Sequence, residues 1–233
     1  MLEDRKKEKE KEEIGDERKE ETKEREERGN EAKDAKEGEA LAWKPVKVEH
    51  LVQDQWIDFR RVAYEFPDGT VFSPYYNYSR GHYSVVVATL PDGRYLCVKQ
   101  YRHGIRKVTY EFPAGGINGE MSGEGKPRPS RKEAFHAAKR ELMEETGYES
   151  QEWEHLITIP SNPTLADNYA YVFRARNCKK AGEMHLDETE FLRYEVFTEE
   201  DIRSLIAGER FPQAIHVMAF LWGEGEKIDD SHV

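Results

Sequence analysis

Cysteine is nearly absent: two of 233 residues, Cys97 and Cys178. The first sits in an apolar strand-like run and the second just past another, so both read as reduced thiols, not as a disulfide or a metal pair. Long apolar runs are missing too. None approaches the roughly 20 residues that span a bilayer, and the charged N-terminus lacks a signal-peptide pattern. A cytoplasmic protein with no membrane partner is therefore expected. Positive charge is in deficit, with 36 Lys and Arg against 47 Asp and Glu and a net charge of −11. That balance argues against nucleic acid, which wants a basic face.

Residues 1–40 have no aromatic side chain and almost no aliphatic one, but hold 17 acidic and 12 basic residues. Such a segment buries too little apolar surface to offset the entropy of ordering it. Residues 1–42 therefore read as a charged tail, disordered or partly helical. All four tryptophans, all the tyrosines and all the prolines lie beyond it, in a remainder long enough for one core.

That remainder is rich in strand signals. Trp56 to Tyr64 roughly alternates, and Pro67-Asp68-Gly69 supplies a turn. Tyr83 to Leu90 reads as a buried strand that pairs, through Pro91-Asp92-Gly93, with Arg94 to Gln100. Thr109 to Phe112 is a short strand entering a sharp turn at Pro113-Ala114-Gly115-Gly116, and residues 117–129 read as a Gly/Pro loop. Ser130 and Glu133 form a capping box for a helix that runs to about Thr146, with Gly147 as its left-handed terminator. Further strands are expected at 155–159, 169–176 and 193–197. A short helix opens at Thr198, and a last one spans Gln213 to Trp222 with Ile215, Met218, Ala219 and Trp222 on one side.

The chemistry is concentrated in Arg140-Glu141-Leu142-Met143-Glu144-Glu145-Thr146-Gly147-Tyr148. On a helix the three glutamates stand at i, i+3 and i+4, so their carboxylates project from one side. They also occupy the last turns, where the helix dipole disfavours anions. A hard divalent cation such as Mg²⁺ relieves both penalties, because it favours carboxylate oxygens and bridges to phosphates.

This stretch resembles the core of the Nudix box, whose pattern is Gly, five residues, Glu, seven residues, then Arg-Glu-aliphatic-any-Glu-Glu-any-Gly-aliphatic, with Tyr148 replacing the last aliphatic residue here. Lys99-Gln100-Tyr101-Arg102 and Glu111-Phe112-Pro113-Ala114-Gly115-Gly116-Ile117 are similar to the strand and loop preceding the box in the ADP-sugar pyrophosphatase branch. The sequence departs from the pattern at Lys132, where a box glutamate is expected, and the loop after Gly115 is about ten residues longer. Glu120, Glu124 or Glu133 could compensate, Glu133 being the first choice.

The resemblance implies an α/β/α sandwich around a mixed β-sheet. Residues 43–80 would form an N-terminal strand layer that makes a homodimer, and 81–233 the catalytic domain. It implies metal ligation by Glu141, Glu145 and the Ala114 carbonyl, with Glu144 serving a further ion, and Mg²⁺ (or Mn²⁺) as cofactor. Arg140 would orient a box glutamate. Glu188, with Glu190 second, would act on the attacking water. Arg102 would reach the diphosphate or terminal ribose, Glu111 would contact ribose, and Trp56 would stack on adenine across the dimer interface. ADP-ribose, giving AMP and ribose 5-phosphate, is the leading substrate. Pro163, sixteen residues after Gly147, fits it, whereas Thr164 and Asn168 depart from the accompanying pattern. Another nucleoside diphosphate-sugar, a dinucleotide, or a non-catalytic nucleotide-binding module are the alternatives.

Overall fold

The computed structural model describes residues 38–123, 126–186 and 190–223, excepting the side chains of 118–120 and 223. Only 38–42 of the charged tail fall within this range, beginning with a helical turn. Contacts group the chain into two units, one holding residues up to 49 with 61–75, the other 50–60 with 76 onward. Three strands, β1 (Lys44–Gln53), β2 (Asp58–Glu65) and β3 (Val71–Ser79), form a sheet in the order β1-β2-β3 and run from one unit into the other. In the first unit the exposed Trp43 contacts Tyr64, Phe66 and Tyr75, with ring centroids 6.0, 4.3 and 5.9 Å away. In the second, β2 begins later than its alternation suggests. The Asp54 carboxylate accepts the N–H groups of Trp56 (2.7 Å) and Ile57 (3.0 Å), which folds Gln55 and Trp56 into the β1–β2 turn.

The second unit is built on a seven-stranded mixed sheet. Its members are β4 (Gly81–Thr89), β5 (Tyr95–Arg102), β6 (Lys107–Glu111), β7 (Ala114–Met121), β9 (Glu152–Pro160), β10 (Tyr169–Arg176) and β12 (Leu192–Phe197), with the main path β12-β5-β4-β10-β9. β8 (Tyr148–Glu149) and β11 (Lys179–Lys180) pair separately. β4 and β10 run parallel; the other pairings in the sheet are antiparallel. Along β4, successive side chains go to opposite faces. Val85 and Val87 pack with helices α2 (Glu199–Ala207) and α3 (Ala214–Gly223), whereas Val86 and Ala88 pack with α1 (Arg131–Thr146). Helices thus cover both faces, in an α/β/α sandwich.

One irregularity in the sheet makes the site. β4 and β5 pair only at Ala88–Leu96 and Thr89–Tyr95 before they part. Beyond that, β5 pairs with β6 and β4 pairs with β7, so the chain crosses from one ladder to the other at Phe112-Pro113. The Pro113 carbonyl accepts the Val86 N–H at 2.9 Å during the crossing. Ala114–Gly116 is consequently extended rather than sharply turned, and β7 continues into the expected loop as far as Met121. Its glycines have little strand preference of their own; the ladder to β4 supplies it.

The last described helix departs in part from its apolar spacing. α3 buries His216, Ala219 and Phe220, while Ile215 and Met218 are only partly covered. Of the side expected to face inward, Ala219 is buried and Trp222, like Ile215 and Met218, is partly covered, and the helix also turns His216 inward. Among the described residues no helix is long and apolar enough to cross a membrane. Leu96 is fully buried under α1; Leu96→Ala should cost about 2–5 kcal/mol, read as a lowered urea midpoint with an unchanged slope.

Candidate active site

Helix α1 carries its caps as expected. Ser130 N donates to the Glu133 carboxylate at 2.8 Å, Glu133 N donates back to Ser130 Oγ, and Gly147 closes the helix at φ 71° with its N–H on the Met143 carbonyl (2.7 Å). Ala134, Ala137, Ala138 and Leu142 lie on the face toward the sheet, and so do Glu141 and Glu145. Residues four apart differ by about 40° around the axis and residues three apart by about 60° in the opposite sense. Glu141 and Glu145 therefore point into the fold together, while Glu144 diverges to the rim.

Both inner carboxylates rest against the start of β7. Glu145 accepts the Ala114 N–H at 3.0 Å. Glu141 lies over Gly115, where an added Cβ would stand 2.0 Å from its Cδ and 2.2 Å from either oxygen. Only glycine leaves that space. Arg140 donates to the Gly116 carbonyl (2.9 Å) and pairs with Glu141 (2.7 Å) and Glu144 (2.8 Å). It thereby ties the helix rim to the strand and holds the two glutamates apart.

Glu190 completes the group: one oxygen each from Glu141, Glu145 and Glu190 lies within 4.8 Å of the others. Glu141 is 5% exposed and Glu145 2%. Burial, partly opposed by Arg140 and reinforced by Glu144 and Glu190, pushes the Glu141 carboxyl up to about 7. Burial also raises Glu145 well above the usual range despite the Ala114 N–H, with Glu141 and Glu190 adding to the rise. Three converging carboxylates, two of them desolvated, are a donor set suited to a hard divalent cation, with oxygen ligands only and excess negative charge to neutralise.

The remaining sequence candidates are distributed around this group. Glu188 and Glu124 lie outside the described residues, as does the side chain of Glu120. Lys132 is exposed, and Glu133 is engaged in the cap. Eight residues separate Glu133 from Glu141, about 12 Å along the axis, so Glu133 does not join the cluster. Glu111 is fully buried and clasps Arg102 with both oxygens, one at 2.7 Å from Nε, while Thr109 Oγ1 donates to it at 2.8 Å. Burial opposes its charge, but the guanidinium prevails and holds the carboxyl below its ordinary range.

A cavity of about 630 Å³ adjoins the cluster at Ala114–Gly116. Arg102 lines it and Glu111 does not, so Glu111 acts on the position of Arg102. Trp56, 66% exposed, lines this cavity from its own chain. Near Pro163, which is exposed, Asp167 accepts from Ser79 Oγ (2.6 Å) and Ser122 Oγ, and Asn168 donates to the Gly81 carbonyl (3.0 Å). The polar residues thus fasten the 160s segment to β4 and its neighbours. Sequence reasoning missed Tyr83, Asn162 and His216 in the cavity wall. His216 contacts Phe112, 104 residues earlier, and no local pattern signals that pairing.

Two outcomes test the cluster. An acid whose folded pKa is raised contributes most below its unfolded value, 4.5 for Glu141, and loses that contribution as pH rises through about 7. Without divalent cations, lowering the pH from 8 to 6 should therefore raise the melting temperature, and saturating Mg²⁺ should flatten the dependence; a flat profile without cation contradicts the buried pair. Gly115→Ala should retain the fold yet weaken Mg²⁺ binding about 10–100-fold, measured by titration calorimetry, because its Cβ displaces Glu141.

The NUDIX domain family matches residues 80–217. The methanol dehydrogenase activator of Bacillus methanolicus is 28% identical over 183 residues, 78% of this chain and 92% of that one. The ADP-ribose pyrophosphatase of Bacillus subtilis (strain 168) is 29% identical over 168 residues, 72% and 84% of the two chains. The crystal structure of an ADP compounds hydrolase has the same fold, with a TM-score of 0.63 and 19% identity over 78% of this chain and 92% of that one. The matched span holds Ala114, Gly115 and all three converging glutamates, and on that ground the chain belongs to the Nudix hydrolase family.

Proposed function

We propose that the protein is a Mg²⁺-dependent nucleoside diphosphate-sugar pyrophosphatase, acting on ADP-ribose to give AMP and ribose 5-phosphate, with Mn²⁺ able to replace Mg²⁺. The observation that carries this reading is the junction of the carboxylate cluster and the cavity at Ala114–Gly116. One side offers anionic oxygen ligands; the other offers Arg102 for the diphosphate and Trp56 for the base. The ADP-ribose pyrophosphatase relative from Bacillus subtilis supports the choice of substrate.

Glu141, Glu145 and Glu190 would hold the cation, with the Ala114 carbonyl and Glu144 as further ligands. When bound, it neutralises phosphate oxygens and acidifies a coordinated water. Water oxygen bonds to one phosphorus, the bridging P–O bond breaks, and the departing phosphate keeps the bridging oxygen. Glu188, or Glu190 where it is not engaged as a ligand, takes the water proton. Arg140 keeps Glu141 aligned, and Arg102, pinned by Glu111, balances charge on the diphosphate.

A homodimer through the β1–β3 sheet is part of the proposal. Val46, Val48, Val52, Val71 and Phe72 are exposed there, an apolar set of the kind that marks association surfaces. A cytoplasmic location is consistent with two buried, unpaired thiols. A second reading, a nucleotide-binding regulator without turnover, has the lysine at the box position and the activator relative in its favour.

Phosphate-coupled turnover of ADP-ribose, ADP-glucose, GDP-mannose, NADH and diadenosine polyphosphates separates these readings. ADP-ribose should be cleaved with Mg²⁺, and Glu145→Gln should lower kcat at least about 100-fold, the scale of losing an electrostatic stabiliser. Cleavage of another compound instead would overturn the substrate; nucleotide binding without turnover would favour the regulator.

A further inference from the structure

The start of α3 and the residue before it present Gln213, Ala214, Ile215 and His216 to the cavity. Gln213 immediately precedes the helix, its carbonyl accepting the Val217 N–H at 2.9 Å, and lines the same cavity as His216. The imidazole is fixed on several sides. Its Nδ1 accepts the Phe112 N–H at 3.1 Å, its ring lies parallel to Phe112 (5° between planes, centroids 6.3 Å apart), and Phe211 meets it at 68°.

A neutral imidazole that accepts at Nδ1 must carry its proton on Nε2. The tautomer is therefore assigned by the Phe112 contact. His216 is 3% exposed and lines the cavity; with Nδ1 committed to Phe112, Nε2–H is the ring's remaining donor. A donor on a cavity wall bonds to what fills the cavity, water or a ligand oxygen. Burial pulls the ring down to about 4, against Glu111 and with Arg102 assisting, so it offers an uncharged N–H at neutral pH.

We propose that His216, with Gln213 beside it, forms the sugar-recognising wall of the cavity, Nε2–H donating to an oxygen of the sugar beyond the diphosphate. The inference rests on the nucleoside diphosphate-sugar reading. The arginines that line the cavity, Arg80 and Arg102, suit phosphate, whereas an uncharged imidazole and an amide match hydroxyls in strength and polarity. Location agrees. Through Phe112, His216 abuts the segment that leads into Ala114, so a diphosphate over the carboxylates brings its attached sugar beside the α3 turn. The wall therefore distinguishes a nucleotide carrying a second sugar from one that ends at its phosphate.

Two substitutions separate the two nitrogens. In His216→Asn the amide oxygen can stand near Nδ1 and keep the Phe112 bond, with no donor at the Nε2 position. In His216→Gln the amide reaches the Nε2 position, and the Nδ1 acceptor is lost. With ADP-ribose as substrate, His216→Asn should raise KM about 3–10-fold, the scale of one neutral hydrogen bond, with kcat within about twofold and a melting temperature near wild type. Inhibition by AMP, which lacks the distal sugar, should be unchanged. His216→Gln should keep KM near wild type while melting earlier.

An unchanged KM in His216→Asn, or equal weakening of ADP-ribose and AMP, overturns the proposal and leaves His216 a structural pin for Phe112. If His216→Asn fails to melt cooperatively, His216→Gln decides, and a raised KM there overturns it. Wild-type enzyme that cleaves no nucleoside diphosphate-sugar refutes the underlying function instead, a result visible before either variant is compared.

Discussion

The Ala114 N–H donated to the Glu145 carboxylate joins the last turns of α1 to the first residue of β7. It is the only place where the glutamate helix and the crossing segment are tied through a buried charge among the described bonds between them, and the arrangement on either side follows from it. With Glu145 held there, Glu141 falls one helical turn back over Gly115, which has no side chain to obstruct it. Arg140 then reaches the Gly116 carbonyl from the rim. A helix face that would ordinarily be apolar instead presses two carboxylates against backbone.

Such packing is electrostatically unfavourable in the protein alone. Two desolvated acids repel each other, Glu190 adds a third charge, and the helix dipole gives no help at this end. One backbone N–H and one arginine offset only part of that. The apolar face of α1 supplies the rest: Ala134, Ala137, Ala138 and Leu142 lock the helix to the sheet whatever the state of the glutamates. The small alanines allow close approach, and the capping box and Gly147 fix where the helix starts and stops. Rigid scaffolding of this kind holds a cluster preorganised for a cation instead of letting it relax apart.

The cavity has a comparable division of labour. Arg102, one of the arginines on its wall, is held by a buried carboxylate that does not line the cavity, so desolvation of Glu111 is compensated by two charged hydrogen bonds and one from Thr109. The parting of β4 and β5 makes room for this pair and for the Ala114–Gly116 segment at once. A continuous sheet would close that space.

The sequence by itself determined what depends on neighbours along the chain. The i, i+3, i+4 glutamates, the Ser130–Glu133 cap, the Gly147 terminator, the Pro91-Asp92-Gly93 hairpin and the family pattern around Arg140 all act within a few residues, so they were legible. Tertiary structure decided what depends on partners far away. The glycine-rich stretch after Pro113 became strand because β4 offered it a ladder, and Glu144 parted from Glu141 and Glu145 because only one side of the helix meets β7. Glu111 turned to Arg102 instead of the cavity, Glu190 arrived beside the box glutamates from a distant loop, and His216 turned inward to meet Phe112. Local sequence specifies dihedral preferences and periodicity; which buried polar group finds which partner is fixed only when separate strands and helices close around the same volume.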